Sequence, residues 1–530
     1  LLTVVFPVVM AHPAPSFAQH FHDRTKYDPE TLSRAAGAMQ GLQPSPFKTY
    51  RLGSAIDLKP YLDGATVTAE KDHLAWMRLS HLLINTYGLT AQISPQFGEP
   101  FYLRAAPSAG GLYPAEIYLI SRGNALLPAG LYNYQARSHS LWRYWDDHPW
   151  QRLQAACFWH PALEHTHLVL VATAVFHRSA WRYRDRAYRR ICLDTGHLLG
   201  NLELAGALTD YRPHLIGGFA DSEINQLLYL DEDQEGAIAL AALANLLQVE
   251  QNLTPTFAAQ AAPIQTDYPP LADGDLWPYL HRITSMTTDG DIRWQNRSPQ
   301  PQDPSNLEDR STPDNPPPTD KYNFPFCLKV KTLTQPVDWG DRLQGLETTI
   351  LQRRSTRKFT GANLTQAELN AVLDFTYHPQ HYVEQGFDRE PDYFDLDLIQ
   401  SFVTVSGIDG LDTGCYYYAP HSQELRQIRF KNFRQELHYL CLGQDLGRDA
   451  AAVIFHTADL KGAVERYGDR AYRYLHLDAG HLGQRLNLAA IRLGLGVSGI
   501  GGFFDDQVNA VLGIPEEEAV LYITAVGRPA

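Results

Sequence analysis

The sequence predicts an α+β protein built from two tandem copies of one domain, and three observations predict it. The stretch "RYRDRAYRRICLDTGHLLGNLELAGALTDYRPHLIGGF" starting at Arg182 matches "RYGDRAYRYLHLDAGHLGQRLNLAAIRLGLGVSGIGGF" starting at Arg466, with 19 of 38 ungapped positions identical at a constant offset of 284. Agreement of that density over one fixed offset marks an internal repeat. At the same offset, "HLVLVATAVF" (167–176) falls on "AAVIFHTADL" (451–460) and "GLYNY" (130–134) on "GCYYY" (414–418). These short β-branched and aromatic runs alternate irregularly with helical patterns, without the strict βαβ order of a doubly wound fold. Between about residues 252 and 322 the texture changes, most plainly in "NRSPQPQDPSNLEDRSTPDNPPPTD", where Pro, Asp, Ser and Asn leave little to bury.

The expected organisation is therefore a non-native or disordered N-terminus over 1–19, a first domain over 20–250, a Pro/Asp-rich linker over 251–325 and a second domain over 326–530. Each repeated segment reads as a long amphipathic helix running into a short strand and a glycine turn. The opening run "LLTVVFPVVM" has no basic lead-in and is too short to span a bilayer. It reads as upstream of a start at Met10, with a cleaved secretory signal as the alternative.

Composition bounds the function. A chain of 530 residues, 44% hydrophobic, has room for at least two cores. Its net charge of −14 disfavours nucleic acid and anionic membrane as partners and points to a small ligand. Five cysteines, far apart and with no C-x-x-C spacing, indicate neither a disulfide framework nor a zinc site, which suits the cytoplasm.

Two stretches carry ligand chemistry. In "PSAGGLYP", Pro107, Ser108, Ala109, Gly110 and Gly111 present a backbone that a flat ligand can approach closely. In "RRSTRKF", Arg353, Arg354, Ser355 and Arg357 bring guanidinium and hydroxyl donors together ahead of the helical run "LTQAELNAVLDFTY". Together with the "RYGDRAYRY...LDAGH" helix leading to "GIGGF", these motifs resemble the flavin-dependent nitroreductase superfamily, in particular its SagB/ThcOx branch. The resemblance covers most of residues 20–245 and 345–530. It implies two nitroreductase-like domains, each a central, mostly antiparallel sheet flanked by helices, and FMN as cofactor, with NAD(P)H as a candidate electron donor. It also implies ring contacts from the 107–111 loop and from Gly501 and Gly502, and phosphate contacts from Arg353, Ser355, Arg357 and the late Arg528.

At offset 284 the two copies have lost opposite equipment. Ser108, Ala109, Gly110 and Gly111 fall on Asp392, Tyr393, Phe394 and Asp395, so the second copy has filled its loop; Arg528 falls on Ala244. The first copy's nearest counterpart to the arginine segment, reached after a gap, is "FHDRTKY", with Phe21, Asp23 and Thr25 in place of Arg353, Ser355 and Arg357. Family homodimers share each flavin between subunits, so the expectation is an intramolecular pseudo-dimer with one composite site per chain, the tether being long enough to permit docking.

Arg182, Tyr183 and Tyr467 are the pocket candidates. Azoline-oxidising members of the branch carry a Lys-Tyr pair in about this region; arginine here cannot shed its proton near neutral pH, which weighs against a general base. His197 and His481, on buried helix, read as satisfied core residues. His160, His165 and His167 read as a solvated loop, since their second-copy positions are Gln444, Asp449 and Ala451, and no metal is expected. The leading function is an FMN-dependent oxidoreductase acting on a small organic substrate. The alternatives are a dehydrogenase of azolines in a modified peptide and a non-catalytic flavin-binding scaffold.

Overall fold

The computed structural model describes residues 14–30, 32, 41–62, 71–94, 100–288, 292–295 and 319–530. Each copy builds a seven-stranded sheet in which every neighbouring pair is antiparallel. In the first copy the strands are β1 (Ser54–Asp57), β2 (Ala115–Ser121), β3 (Gly130–Gln135), β4 (Ser140–Trp145), β5 (Leu168–Val175), β6 (Tyr211–Ile216) and β7 (Glu235–Asn245), ordered β1-β4-β3-β2-β5-β7-β6. The second copy repeats that order with β8 (Leu328–Lys331), β9 (Gln400–Val405), β10 (Gly414–Ala419), β11 (Glu424–Arg429), β12 (Ala452–Asp459), β13 (Gly496–Ile500) and β14 (Glu518–Gly527), as β8-β11-β10-β9-β12-β14-β13. The central strands β2, β5 and β7 are buried on both faces, which is why they read as continuous apolar runs.

The helices used below are α1 (Phe17–Arg24), α2 (Lys71–Tyr87), α3 (Phe176–Tyr183), α4 (Ala187–Thr209), α5 (Leu276–Ile283), α6 (Gln344–Gln352), α7 (Gln366–Tyr377), α8 (Leu460–Tyr467) and α9 (Ala471–Arg492). The copies dock through α4 and α9. A Cβ on Gly196 would lie 2.2 Å from the Leu477 carbonyl oxygen, and one on Gly480 would lie 2.3 Å from that of Leu193. Only glycine lets the two backbones cross so closely. These helices are buried all round rather than amphipathic, because each has its own sheet on one side and the other copy on the opposite side. Nor is the repeated segment one unbroken helix: a 3-10 turn at 184–186 and 468–470 separates α3 from α4 and α8 from α9.

The stretch read as a tether is ordered over much of its length, and its helix α5 is the second copy's counterpart of α1. Arg189 donates to the His22 carbonyl (2.6 Å) and the Thr25 hydroxyl, while Arg186 and Arg189 clasp Asp505 at 2.8 Å each. Across the pseudo-axis, Arg473 donates to the His281 carbonyl (2.8 Å) and the Thr284 hydroxyl, while Arg470 and Arg473 clasp Asp221 at 2.7 and 2.5 Å. Thus "FHDRTKY" is equivalent to "LHRITSM" (280–286) and not to the arginine segment. Sequence missed the pairing because its offset is 259, not 284. Each of these two helices lies on the junction: α1 hydrogen-bonds Asp469 of the second copy through the Ala18 amide, and His281 of α5 meets Tyr188 of the first at 3.0 Å.

The expected disordered N-terminus is likewise ordered from its last residues. Ser16 and Gln19 form a reciprocal capping box, and Phe17 and Ala18 are fully buried. Residues 1–13, with Met10, lie outside the described residues, as do 296–318, the most proline-rich part of the linker. Among the described residues no helix is long and apolar enough to cross a membrane.

Candidate functional site

The small-residue loop is held by one carboxyl group. Asp194 on α4 accepts the Ser108 hydroxyl at 2.6 Å and the Ala109 amide at 3.1 Å, and Ser108 Oγ in turn accepts the Tyr113 amide at 2.9 Å. Gly110 and Gly111 then take left-handed φ angles of 65° and 66°. Burial pushes the Asp194 carboxyl up to about 7 against the pull of those two donors.

The loop forms one wall of a cavity of about 520 Å³ lined by both copies. The first copy contributes Pro107, Ser108, Ala109, Gly110, Arg182, Tyr183, Arg190, Asp194 and His197. The second contributes Ser355, Arg357, Gln444, Asn487, Tyr522 and the backbone from Gly499 to Gly502. Arg190 stacks on Tyr183 at 3.8 Å and donates to the Gly501 carbonyl at 3.1 Å, while its buried Nη1 has no hydrogen-bond partner among the described residues. His197 is held between Gln484 (2.8 Å) and Tyr522 (2.9 Å), and burial lowers its pKa to about 3, so it is the neutral, satisfied residue the sequence indicated.

The expected phosphate residues divide. Ser355 and Arg357 line the cavity, Arg357 exposed and with no ion pair among the described residues. Arg353 instead reaches across the junction to the carbonyls of Ala105 (2.8 Å) and Arg104 (3.3 Å), just ahead of the loop; burial pulls its pKa down to about 10, still charged at neutrality. Arg354 turns to Thr90 and neighbouring carbonyls. Arg528 pairs with Glu368 at 2.8 Å outside the cavity. Gly111 faces open space and does not line the cavity.

The pseudo-symmetric place is filled by the second copy's own loop. Asp478 holds the Phe394 and Asp395 amides as Asp194 holds Ala109. Phe394 stacks on Tyr474 (5.0 Å, 14°) and sits against Gly217, which mirrors Gly501. Tyr393 stacks on His481 at 4.3 Å. Asp392 is taken up by Arg212 at 3.0 Å, and Asp395 by Arg466 (3.0 Å) and Tyr467 (2.8 Å), so Tyr467 belongs to the filled place and not to the cavity. Where the open cavity has Asn487, the filled place has Glu203, bound to Arg485 at 2.9 Å. Between β1 and α2 the first copy has thirteen residues, 58–70, where the second spends 332–365 on α6 and the arginine segment.

Sequence reasoning missed Arg190, Asp194, Gln444, Asn487 and Tyr522 as lining residues. The first three had a usable signal in the repeat: Arg190 differs from its mirror Tyr474, Gln444 from His160, and Asp194 is shared because both loops need an anchor. The histidine reading is corrected: His160 is buried against Trp294 at 4.4 Å rather than solvated. Among the described residues no group of three or more His, Cys, Asp or Glu could hold a metal.

Fold and cavity define an α+β protein with one site shared between two copies, and comparison with known proteins gives the family. The Nitroreductase family model matches residues 78–242 and 350–528, and the chain belongs to the nitroreductase family. A crystal structure of a nitroreductase-family protein from Anabaena variabilis superposes with a TM-score of 0.90 at 60% identity, covering 97% of this chain and all of that one, so the tandem architecture is common to both. The nitroreductase-like protein MJ1384 of Methanocaldococcus jannaschii is 31% identical over 183 residues, 34% of this chain and 90% of that protein. The Microcin B17-processing protein McbC of Escherichia coli is 25% identical over 178 residues, 31% of this chain and 59% of that protein.

Proposed function

We propose that the chain is an FMN-dependent oxidoreductase with one composite flavin site, acting on a small organic substrate. The observation that carries this reading is complementary: one place between the copies is an open, donor-lined cavity, and its mirror is packed shut by Tyr393, Phe394 and the Glu203–Arg485 pair. The cavity's residues fit the cofactor. Its volume of about 520 Å³ is within the range of ligand sites. Arg357, with no ion pair among the described residues, and Ser355, whose oxygen accepts from Arg353 at 3.5 Å and whose proton remains to donate, suit a phosphate, and side chains are missing where a flat ring needs close backbone, at Gly110 and at Gly501 and Gly502. The buried Nη1 of Arg190, without a partner among the described residues, is a donor in want of an acceptor.

When bound, the isoalloxazine ring supplies two-electron exchange with a donor such as NAD(P)H and with the substrate. The protein's part is to hold the ring and manage a proton. Asp194 Oδ2, 2.6 Å from Ser108 Oγ, can hold or release a proton near neutral pH, with the hydroxyl relaying it to the cavity. His197, held neutral by burial, cannot. The likeness to McbC favours a second reading, in which the substrate is a modified peptide.

Released FMN measured against protein by absorbance should approach one per chain and persist in a monomer fraction. A ratio near two, or none, would overturn the reading.

A further inference from the structure

The filled place shows what the Arg-Tyr pair at the end of α3 and α8 is built to hold. There, Asp395 Oδ2 accepts from Arg466 Nη1 at 3.0 Å and from the Tyr467 hydroxyl at 2.8 Å. The open cavity has the same pair of residues, with Tyr183 also stacked under Arg190 at 3.8 Å. The Arg182 guanidinium lies 5.6 Å from the Tyr183 ring centroid, and Arg466 lies 5.3 Å from that of Tyr467. By the amides that Asp194 and Asp478 hold, the residue in the place of Asp395 is Gly110, which brings no side chain to the pair; a Cβ there would lie 2.7 Å from the Tyr183 hydroxyl and 3.4 Å from Arg182 Nη1. Among the described residues Arg182 makes no ion pair, and the only lining carboxyl, Asp194, is committed to Ser108 and Ala109. The vacated position is an oxyanion position.

We propose that the open site binds a carboxylate of its substrate between the Arg182 guanidinium and the Tyr183 hydroxyl, in the place that Asp395 takes on Arg466 and Tyr467. The inference rests on the reading of the cavity as a substrate site and narrows the substrate to a carboxylic acid. Arg190, which replaces the Tyr474 of the filled place, adds a second guanidinium to the same wall, so a chain of net charge −14 carries a cationic pocket. Such a pocket draws anions and rejects amines.

The test is calorimetric titration of the full-length chain, as purified, with benzoate, with its neutral isostere benzamide and with inorganic phosphate. Benzoate should bind at least tenfold more tightly than benzamide. Arg182→Gln and Tyr183→Phe should each weaken benzoate by roughly tenfold or more, since each removes a hydrogen bond to a charged group, and leave benzamide unmoved. Arg466→Gln, in the filled place, should change nothing. Arg182 is exposed, so its loss does not threaten the fold. Equal affinity for benzoate and benzamide, or benzoate binding that survives both substitutions, would overturn the proposal, and tighter binding of phosphate at the same residues would replace a carboxylate with a phosphoryl ligand. Because the readout is heat and not flavin colour, a chain that purifies without FMN refutes the proposed function while leaving this result readable.

Discussion

Asp194 makes the small-residue loop pH-sensitive. Its folded pKa, about 7, is raised above the unfolded 3.8, so its contribution to stability is fully present below pH 3.8 and is lost as pH rises through 7. Asp194→Asn removes that titration. The slope of melting temperature against pH between 4 and 7 should therefore be more positive in the variant than in the parent, and coincident slopes would show that the carboxyl does not titrate there. Gly110 and Gly111 separate two effects. Alanine at Gly111 meets open space and costs only the left-handed backbone, roughly 1–2 kcal/mol. Alanine at Gly110 adds a Cβ 2.7 Å from the Tyr183 hydroxyl, so Gly110→Ala should melt lower than Gly111→Ala and disturb the cavity wall. Equal melting points would mean that Tyr183 moves aside without cost. Among the arginines, Arg357→Ala should weaken FMN by about tenfold or more, while Arg354→Ala and Arg528→Ala, whose guanidinium groups are engaged elsewhere, should leave it within about twofold, as read by equilibrium dialysis.

At the scale of elements, the two copies are locked by a repeated device: an aspartate at the start of a short helix receives two arginines from the other copy's 3-10 turn and long helix. Asp221 and Asp505 are both fully enclosed, and although burial works against the charge, the facing arginines hold each carboxyl below its usual range. Their contribution to stability is therefore present above about pH 3.8 and is lost as pH falls through the lowered folded values. Either Asp→Asn change strands buried guanidinium charge and should cost about 3–5 kcal/mol at neutral pH. In urea titrations that loss should shrink toward acid; a loss that stays constant down to pH 3 would rule out the ion pairs as its source. These elements also show what the sequence disclosed. The α4/α9 repeat and the strands were legible because they preserve the offset of 284, and the filled loop because it departs from that offset by only one residue. The α1/α5 pair was not, since 25 residues of drift and poor identity hide a correspondence fixed by His22 with His281 and Thr25 with Thr284. Nor could sequence tell that Arg353 and Arg528 spend their donors on protein groups, because motif spacing fixes backbone position and not the direction of a long side chain.

The whole molecule is a pair that has ceased to be symmetric, and the asymmetry has two causes that can be separated. The second copy's loop fills the mirror place, and the first copy lacks the segment that would supply Ser355 and Arg357 there. Emptying the plug with Tyr393→Ala and Phe394→Ala should create a cavity, at a cost of about 3–5 kcal/mol for each ring. It should not raise FMN content above one per chain; a second equivalent would show that the loop alone closes that place.

The filled half also changes what a single substitution can do. In a two-fold assembly of identical chains every residue is present twice, so a change that suits a binding pocket is imposed on the partner's pocket as well. Here Arg190 and Tyr474, Asn487 and Glu203, and Gln444 and His160 occupy matching stations with different neighbours. Each station is inherited separately. One half is free to explore new chemistry along the cavity while the other serves as its scaffold, a division of labour written into one reading frame.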